Sequence, residues 1–162
     1  MNIPFKYLPK KLTKKDKIKQ AAQLKKSRRA YKKGIYIHRQ PVISYKSKKS
    51  QHILNAEKIY KIKKLTINNT LAKKTGCSIK ALNQIVKKGQ GAYYSSGSRP
   101  NQTAHSWGIA RLASSITGGK AAAVDYNILE NGCTNGSKAL KLAKKSRIKN
   151  GYGTRKVPKR QI

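Results

Sequence analysis

The sequence predicts a mainly α protein, a small helical domain with extended, highly basic N- and C-terminal arms. Three observations point there. Capping residues repeatedly precede amphipathic segments. Strand-like alternation is confined to one short stretch. Charge is uneven along the chain, which carries 39 Lys and Arg against 4 Asp and Glu, a net charge of +35. Residues 1–76 hold 23 of the cations, residues 138–162 hold 10, and the middle holds only 6. A chain of this charge with few large aliphatic residues sits at the compositional border of disorder, so a modest, Ala-rich core is expected. The predicted organisation is a basic N-terminal arm with helices over 1–65, a small helical domain over 66–148 and a basic C-terminal tail over 149–162.

In chain order, MNIPFKYLPK reads as extended because its two prolines disfavour helix before them. Thr13 caps a helix to about Lys33, with Asp16 at its positive end and Gly34 as its stop. Its apolar face is thin (Ile18, Ala21, Ala22, Leu24, Tyr31), and the rest is Lys and Arg, including Arg28 and Arg29. Such a helix is either solvated or laid on phosphates, and the cation density favours phosphates. GIYIHRQPVISY alternates apolar residues and predicts a short strand or extended arm broken by Pro41. Ser50 caps a helix over QHILNAEKIYKIKKL. A short helix over 67–75 ends at Gly76, and Ser78 caps a second over 79–88 that ends at Gly89. Ala104 to Ile116 forms a further helix after the cap Thr103. Gly118 and Gly119 stop it. Lys120 to Leu129 follows, with Val124 and Ile128 inward. After a loop containing Asn131, Gly132, Asn135 and Gly136, Ser137 caps a last helix to about Ile148. The tail GYGTRKVPKRQI is expected to be flexible when unbound.

The pair over 67–88 has helix-turn-helix spacing. A small Ala72 lies where helices touch, Gly76 makes the turn, and Leu82 and Ile85 pack the second helix back. That leaves Lys80, Asn83, Gln84 and Lys87 exposed. Asn and Gln read adenine edges, and Lys meets guanine or phosphate. Two capped helices joined at a glycine are also a common packing unit, so both readings stand.

The composition bounds the chemistry. With Asp16, Glu57, Asp125 and Glu130 the only carboxylates, paired-carboxylate catalysis has little material. No Gly-rich nucleotide loop has the needed spacing. Cys77 and Cys133 form no CxxC pair and His38, His52 and His105 are scattered, so neither metal nor cofactor is expected, and the cysteines read as reduced, small core residues. No enzymatic activity is expected. No apolar run is long enough to span a bilayer, and the N-terminus lacks a signal-peptide apolar region.

One stretch departs from the rest. GAYYSSGSRPNQT, residues 91–103, holds a single charge, Arg99. Gly89 and Gly91 permit close turns, Tyr93 and Tyr94 face opposite ways if extended, and Arg99 either gathers loop and helix-end carbonyls or completes an anion nest with Ser95, Ser96 and Ser98. The first is favoured, making the neutral loop a structural clasp closed by Arg99. Trp107 falls in a helical apolar stripe and reads as core rather than as a base-stacking platform. Arg111 follows a small Ala and is a candidate anion ligand. The residues Lys88–Gly89, Gly91–Ala92–Tyr93, Ser98–Arg99–Pro100, Trp107, Ala110 and Arg111 together resemble a small uncharacterised domain of tailed-phage and large eukaryotic DNA virus proteins. The resemblance covers about a third of the chain, leaves the basic flanks out, and implies a viral origin without a particular chemistry.

The functional expectation is a non-enzymatic viral structural protein that binds nucleic acid or another polyanion, as a virion or capsid-interior component. Candidate contacts are Lys80, Asn83, Gln84, Lys87, Lys88, Arg99, Arg111, Arg28 and Arg29; Gly76, Gly89, Gly91, Tyr93, Pro100 and Trp107 are expected to be structural. The partners would be a viral genome, capsid proteins or both, and the location the virion after passage through the host cell interior (cytoplasm or nucleus). The alternatives are a helix-turn-helix protein in viral transcription or genome handling, and a capsid cement protein docking on acidic protein surfaces.

Overall fold

The computed structural model describes residues 1–150 and 158–162. Among these, the chain is mainly helical, with one small sheet. The elements are β1 (Asn2–Pro4), α1 (Lys14–Lys32), α2 (Gln51–Ile59), α3 (Asn69–Thr75), α4 (Ile79–Ser95), α5 (Ala104–Ile116), α6 (Lys120–Val124), α7 (Tyr126–Gly132), α8 (Lys138–Lys149) and β2 (Lys159–Gln161). Two compact units form, one from residues 1–48, 90–107 and 158–162, the other from 49–89 and 108–150. They cut across the segments that charge alone marks out, because packing joins pieces distant in sequence.

In the first unit α1 begins where Thr13 predicts, its hydroxyl accepting from the Asp16 N–H at 3.2 Å. Its buried face is not the thin apolar one. Ile18 is 63% exposed, whereas Asp16, Gln20, Leu24 and Ser27 face inward. Polar residues are tolerated there because each finds a partner. Asp16 accepts from the backbone and hydroxyl of Ser44, and those bonds hold its carboxyl below the usual range. Gln20 donates to the Tyr7 carbonyl at 3.3 Å. Residues 35–48 form no strand. They run back beside α1, and their main chain meets side chains: Gln23 reaches the Gln40 carbonyl at 3.0 Å and Lys19 the Pro41 carbonyl at 3.1 Å. Extended backbone satisfied in this way needs no ladder. A small core of Ile3, Tyr7, Leu8, Leu12, Leu24 and Val42 lies beneath, with Trp107 partly buried against it and edge-on to Tyr7 at 5.9 Å.

The tail is not wholly free. Residues 151–157 lie outside the described residues, but β2 pairs antiparallel with β1, Ile3 opposite Arg160. Arg160 also donates to the Leu8 carbonyl at 2.6 Å.

The neutral stretch is a clasp, but a different arginine closes it. Helix α4 runs straight through Gly89 and Gly91 to Ser95, so no turn occurs at either glycine and the two tyrosines sit on a helix. Gly89 is helical for a packing reason, since an added Cβ would lie 2.6 Å from the Gly108 Cα on α5. The turn comes later, at Gly97 (φ +122°), where a Cβ would meet the Leu24 side chain at 2.7 Å. Arg99 is exposed, and its side chain makes no described hydrogen bond. Arg39 instead donates to the Ser27 hydroxyl (2.9 Å), the Tyr93 carbonyl (2.9 Å) and the Ser98 hydroxyl (3.0 Å). Its guanidinium also lies 3.8 Å from the centre of the buried Tyr93 ring. Burial lowers its pKa, yet a guanidinium stays charged. Asn101 completes the clasp, accepting from the Val42 N–H (2.7 Å) and donating to the carbonyls of Val42 (3.1 Å) and Tyr45 (2.6 Å). Pro100 is buried beside it.

The second unit holds the larger core, built from Leu71, Leu82, Ile85, Leu112, Ile116, Leu129 and Leu140 with alanines between. Helix α5 spans the residues its pattern predicts. The segment after it breaks at Asp125 into α6 and α7, and Val124 turns outward while Ala122 and Ala123 are buried. Helix α8 packs against α3, α6 and α7. The cysteines are not reduced. Cys77 and Cys133 form a disulfide across a sequence separation of 56 residues. A loop of that length restricts the unfolded chain by roughly 4 kcal/mol on the chain-entropy account, a large share for so small a core.

The clasp predicts an asymmetry between two arginines. Arg39→Lys keeps the charge but loses the planar fork and should cost about 2 kcal/mol. Arg99→Lys should change stability by less than about 0.5 kcal/mol. Thermal melts of both variants check this, and equal effects would contradict it.

Candidate nucleic-acid interface

The site grows from the turn between α3 and α4. Asn68 caps α3, its side chain accepting from the Leu71 N–H at 2.8 Å. Gly76 closes α3 in the left-handed region (φ +77°), where a Cβ would lie 2.4 Å from the Ser137 Cβ, so only glycine fits. The turn is then held on both sides. The Thr134 N–H donates to the Gly76 carbonyl and the Ser78 N–H to the Gly132 carbonyl, each at 2.8 Å, and the disulfide lies between them. Ser78 starts α4 by accepting from the Ala81 N–H at 3.1 Å. Ala81, Leu82, Ile85 and Val86 face the core, and the 3.6-residue period therefore leaves Lys80, Asn83, Gln84 and Lys87 together on the outer face. Two consecutive helices joined at Gly76 form over the predicted residues, and the four candidates on the second are exposed.

Beside that face runs a cleft of about 360 Å³, lined by Ser78, Lys80 and Gln84 of the α4 turn and by Asn127 and Asn131 of α7. Three side-chain amides and an ammonium converge there, a set able to donate to phosphate and base edges alike. A second cavity of about 280 Å³ lies before α3, lined by Lys61, Lys63, Lys64 and Lys74 with Thr66 and Asn68. Lys74 donates to the Lys61 carbonyl at 2.9 Å, which brings two of its cations together. No carboxylate lines either cavity.

Two of the expected anion ligands have another task. Arg111 donates to Asp125 through Nε (2.9 Å) and Nη2 (2.8 Å), a bidentate pair. Lys88 reaches the same carboxylate at 3.1 Å, and the Ser115 hydroxyl adds a bond at 3.1 Å. Asp125 is fully buried, so burial alone would raise its pKa, but the Arg111 and Lys88 charges outweigh that and hold it below the usual range. Arg111 thus faces an internal carboxylate rather than the loop, because an unpaired buried charge would be prohibitive. Of the remaining candidates, Arg28 donates to the Asn2 carbonyl at 3.0 Å, while Arg29 and Arg99 are exposed; all three belong to the first unit and the α4 set to the second. Asn127, Asn131 and the Lys61–Lys74 group were not singled out by sequence, since nothing in their spacing announces a shared cleft.

Elsewhere the acidic groups are also committed. Glu57 pairs with Lys49 and accepts the Leu65 N–H at 3.2 Å, leaving Glu130 as the exposed carboxylate. Among the described residues, no three His, Cys, Asp or Glu side chains converge to hold a metal ion, and no helix is long and apolar enough to cross a membrane.

The Asp125 cluster makes stability depend on pH with a defined sign. Its pKa is lower folded than unfolded, so the contribution is complete above the unfolded value, near 3.8, and is lost as pH falls through the folded one. Arg111→Met should destabilise by about 3–5 kcal/mol at neutral pH, and its deficit against wild type should shrink below about pH 4 as the carboxyl protonates. Denaturant titrations at two pH values check this; a deficit independent of pH would assign Arg111 a packing role only.

The comparisons with known proteins fit this geometry without adding a chemistry to it. No curated protein and no solved structure matches the chain. A family model described as a family of unknown function, DUF5824, matches residues 4–131. That span runs from the extended N-terminus through α1, the clasp, the α3–α4 turn and Asp125, well beyond the third of the chain covered by the motif resemblance. The chain belongs to the DUF5824 family.

Proposed function

We propose that the chain is a non-enzymatic structural protein of a virus particle that binds nucleic acid, with the genome as its polyanion. The observation that carries this reading is where the few carboxylates go. Asp16, Glu57 and Asp125 are spent on Ser44, Lys49 and the Arg111–Lys88 pair, so the +35 charge has almost no internal screen left and calls for an external one. Densely spaced phosphates supply it better than an acidic protein surface, because each neutralised phosphate also releases a condensed counterion. The disulfide supports residence in a particle rather than in reducing cytosol, where such bonds seldom persist.

A second reading is favoured by the outer face of α4. Lys80, Asn83, Gln84 and Lys87 have the residue types and spacing of a recognition helix, which suits a DNA-reading role in genome handling or transcription. The two readings differ in how affinity depends on sequence.

For the first, binding should be electrostatic and nearly sequence-blind. If about eight phosphates are neutralised, log K should fall against log salt with a slope near −7. Affinity independent of salt would overturn it. For the second, selection among random duplexes should return a motif, and Asn83→Ala or Gln84→Ala should relax it by about 1–3 kcal/mol. Selection without enrichment leaves the electrostatic reading alone.

A further inference from the structure

The first unit carries a feature that the α4 face and the lysine cavity do not explain. Tyr36 is 63% exposed and Tyr31 36%, and between them Ile35 is 54% exposed. Their rings are not scattered. Tyr31 lies 5.9 Å from Tyr36, and Tyr36 lies 5.1 Å from Tyr94, each pair tilted by 53°. Tyr94 is backed edge-on by Tyr93 at 5.1 Å, and Tyr93 is fixed beneath Arg39. His38 adds an edge contact to Tyr94 at 5.8 Å. A row of rings thus starts in the clasp and ends in solvent.

Exposed tyrosines in a row are costly to keep in a soluble chain unless they meet something. Charge says what. Seven cations and no carboxylate lie between Lys25 and Arg39, the segment that supplies Tyr31 and Tyr36. Lys32 and Lys33 close α1 between the two tyrosines and are exposed. Aromatic faces set among cations match a ligand with alternating flat rings and phosphates. A duplex hides its base faces in the stack and offers these rings nothing beyond phosphate. An unpaired strand offers both.

We propose that Tyr31, Tyr36 and Tyr94 form a base-stacking platform for single-stranded nucleic acid, with the cations at the end of α1 holding its backbone. The proposal rests on the polyanion reading and adds the form of the strand. Tyr36, the most exposed ring of the row, contributes most, and Tyr94 orients it. Arg39 is a positioning residue, because it fixes Tyr93, on which Tyr94 rests.

The test uses the full chain and labelled oligonucleotides of about 20 residues, namely oligo-dT, oligo-rU and a mixed-sequence duplex, at a low and a moderate salt concentration. Tyr36→Ala should weaken both single strands about tenfold, as loss of one stacked base does, and leave duplex affinity within about twofold, the electrostatic part being untouched. Tyr36→Phe should keep wild-type affinity, since the ring face and not the hydroxyl is used. A loss confined to dT or rU supports the platform and names its strand. Wild type that binds all three with strong salt dependence while Tyr36→Ala binds single strands unchanged overturns the platform and spares the polyanion reading. An equal loss on the duplex also overturns it. Wild type that binds none of the three overturns both. A melt of Tyr36→Ala matching wild type excludes unfolding as the cause.

Discussion

Thirty-nine cations share four carboxylates, and the fold spends three of those carboxylates inside itself. Asp125 is the sharpest case. It sits fully buried, takes two bonds from Arg111, one from Lys88 and one from Ser115, and thereby ties α4 and α5 to the break between α6 and α7. Asp16 does the same work in the first unit, holding Ser44 and with it the chain that returns beside α1. Negative charge is scarce in this sequence, and three of the four carboxylates are placed where they organise structure. Most of the other described cations are exposed, and this forces the question of a partner.

The same scarcity explains why hydrogen bonds of neutral side chains close the first unit. With little aliphatic material, its α1 face is polar, and Gln20, Gln23, Ser27, Ser98 and Asn101 carry bonds that a larger core would make unnecessary. The stretch around residues 91–103 is poor in charge because it packs inward against that network. Arg39 can be buried there only because three oxygens and an aromatic face receive its guanidinium. In the second unit the disulfide and the left-handed Gly76 fix the α3–α4 turn, so that the outer face of α4 is presented by a rigid element.

Local signals in the sequence hold in the fold. Thr13, Ser50, Ser78 and Ser137 start helices, Gly76 ends one, and α5 has its expected bounds. What misled were residues whose role is set by distant partners. Gly89 looks like a stop, but it is the place where α4 meets Gly108, and a helix tolerates it for that contact. Arg99 looks like the clasp because it lies within the loop, while the arginine that does the work comes from 59 residues before Ser98. Arg111 looks like a free cation until Asp125 is brought beside it, and the cysteines look like core residues until the fold joins them. The α4 candidates Lys80, Asn83, Gln84 and Lys87 share one face as helical periodicity requires. The row of Tyr31, Tyr36 and Tyr94 was not legible, because two of its members sit far from the third in sequence.

If the outward charge is held in check by a polyanion, that polyanion must stabilise the folded chain, and salt must imitate it weakly. Thermal unfolding of the full chain at low and high salt, with and without an oligonucleotide, measures this linkage directly. The account predicts a low melting temperature for the bare chain at low salt, a rise on adding salt, and a larger rise on adding oligonucleotide that fades at high salt. A melting temperature that neither salt nor oligonucleotide moves would contradict it.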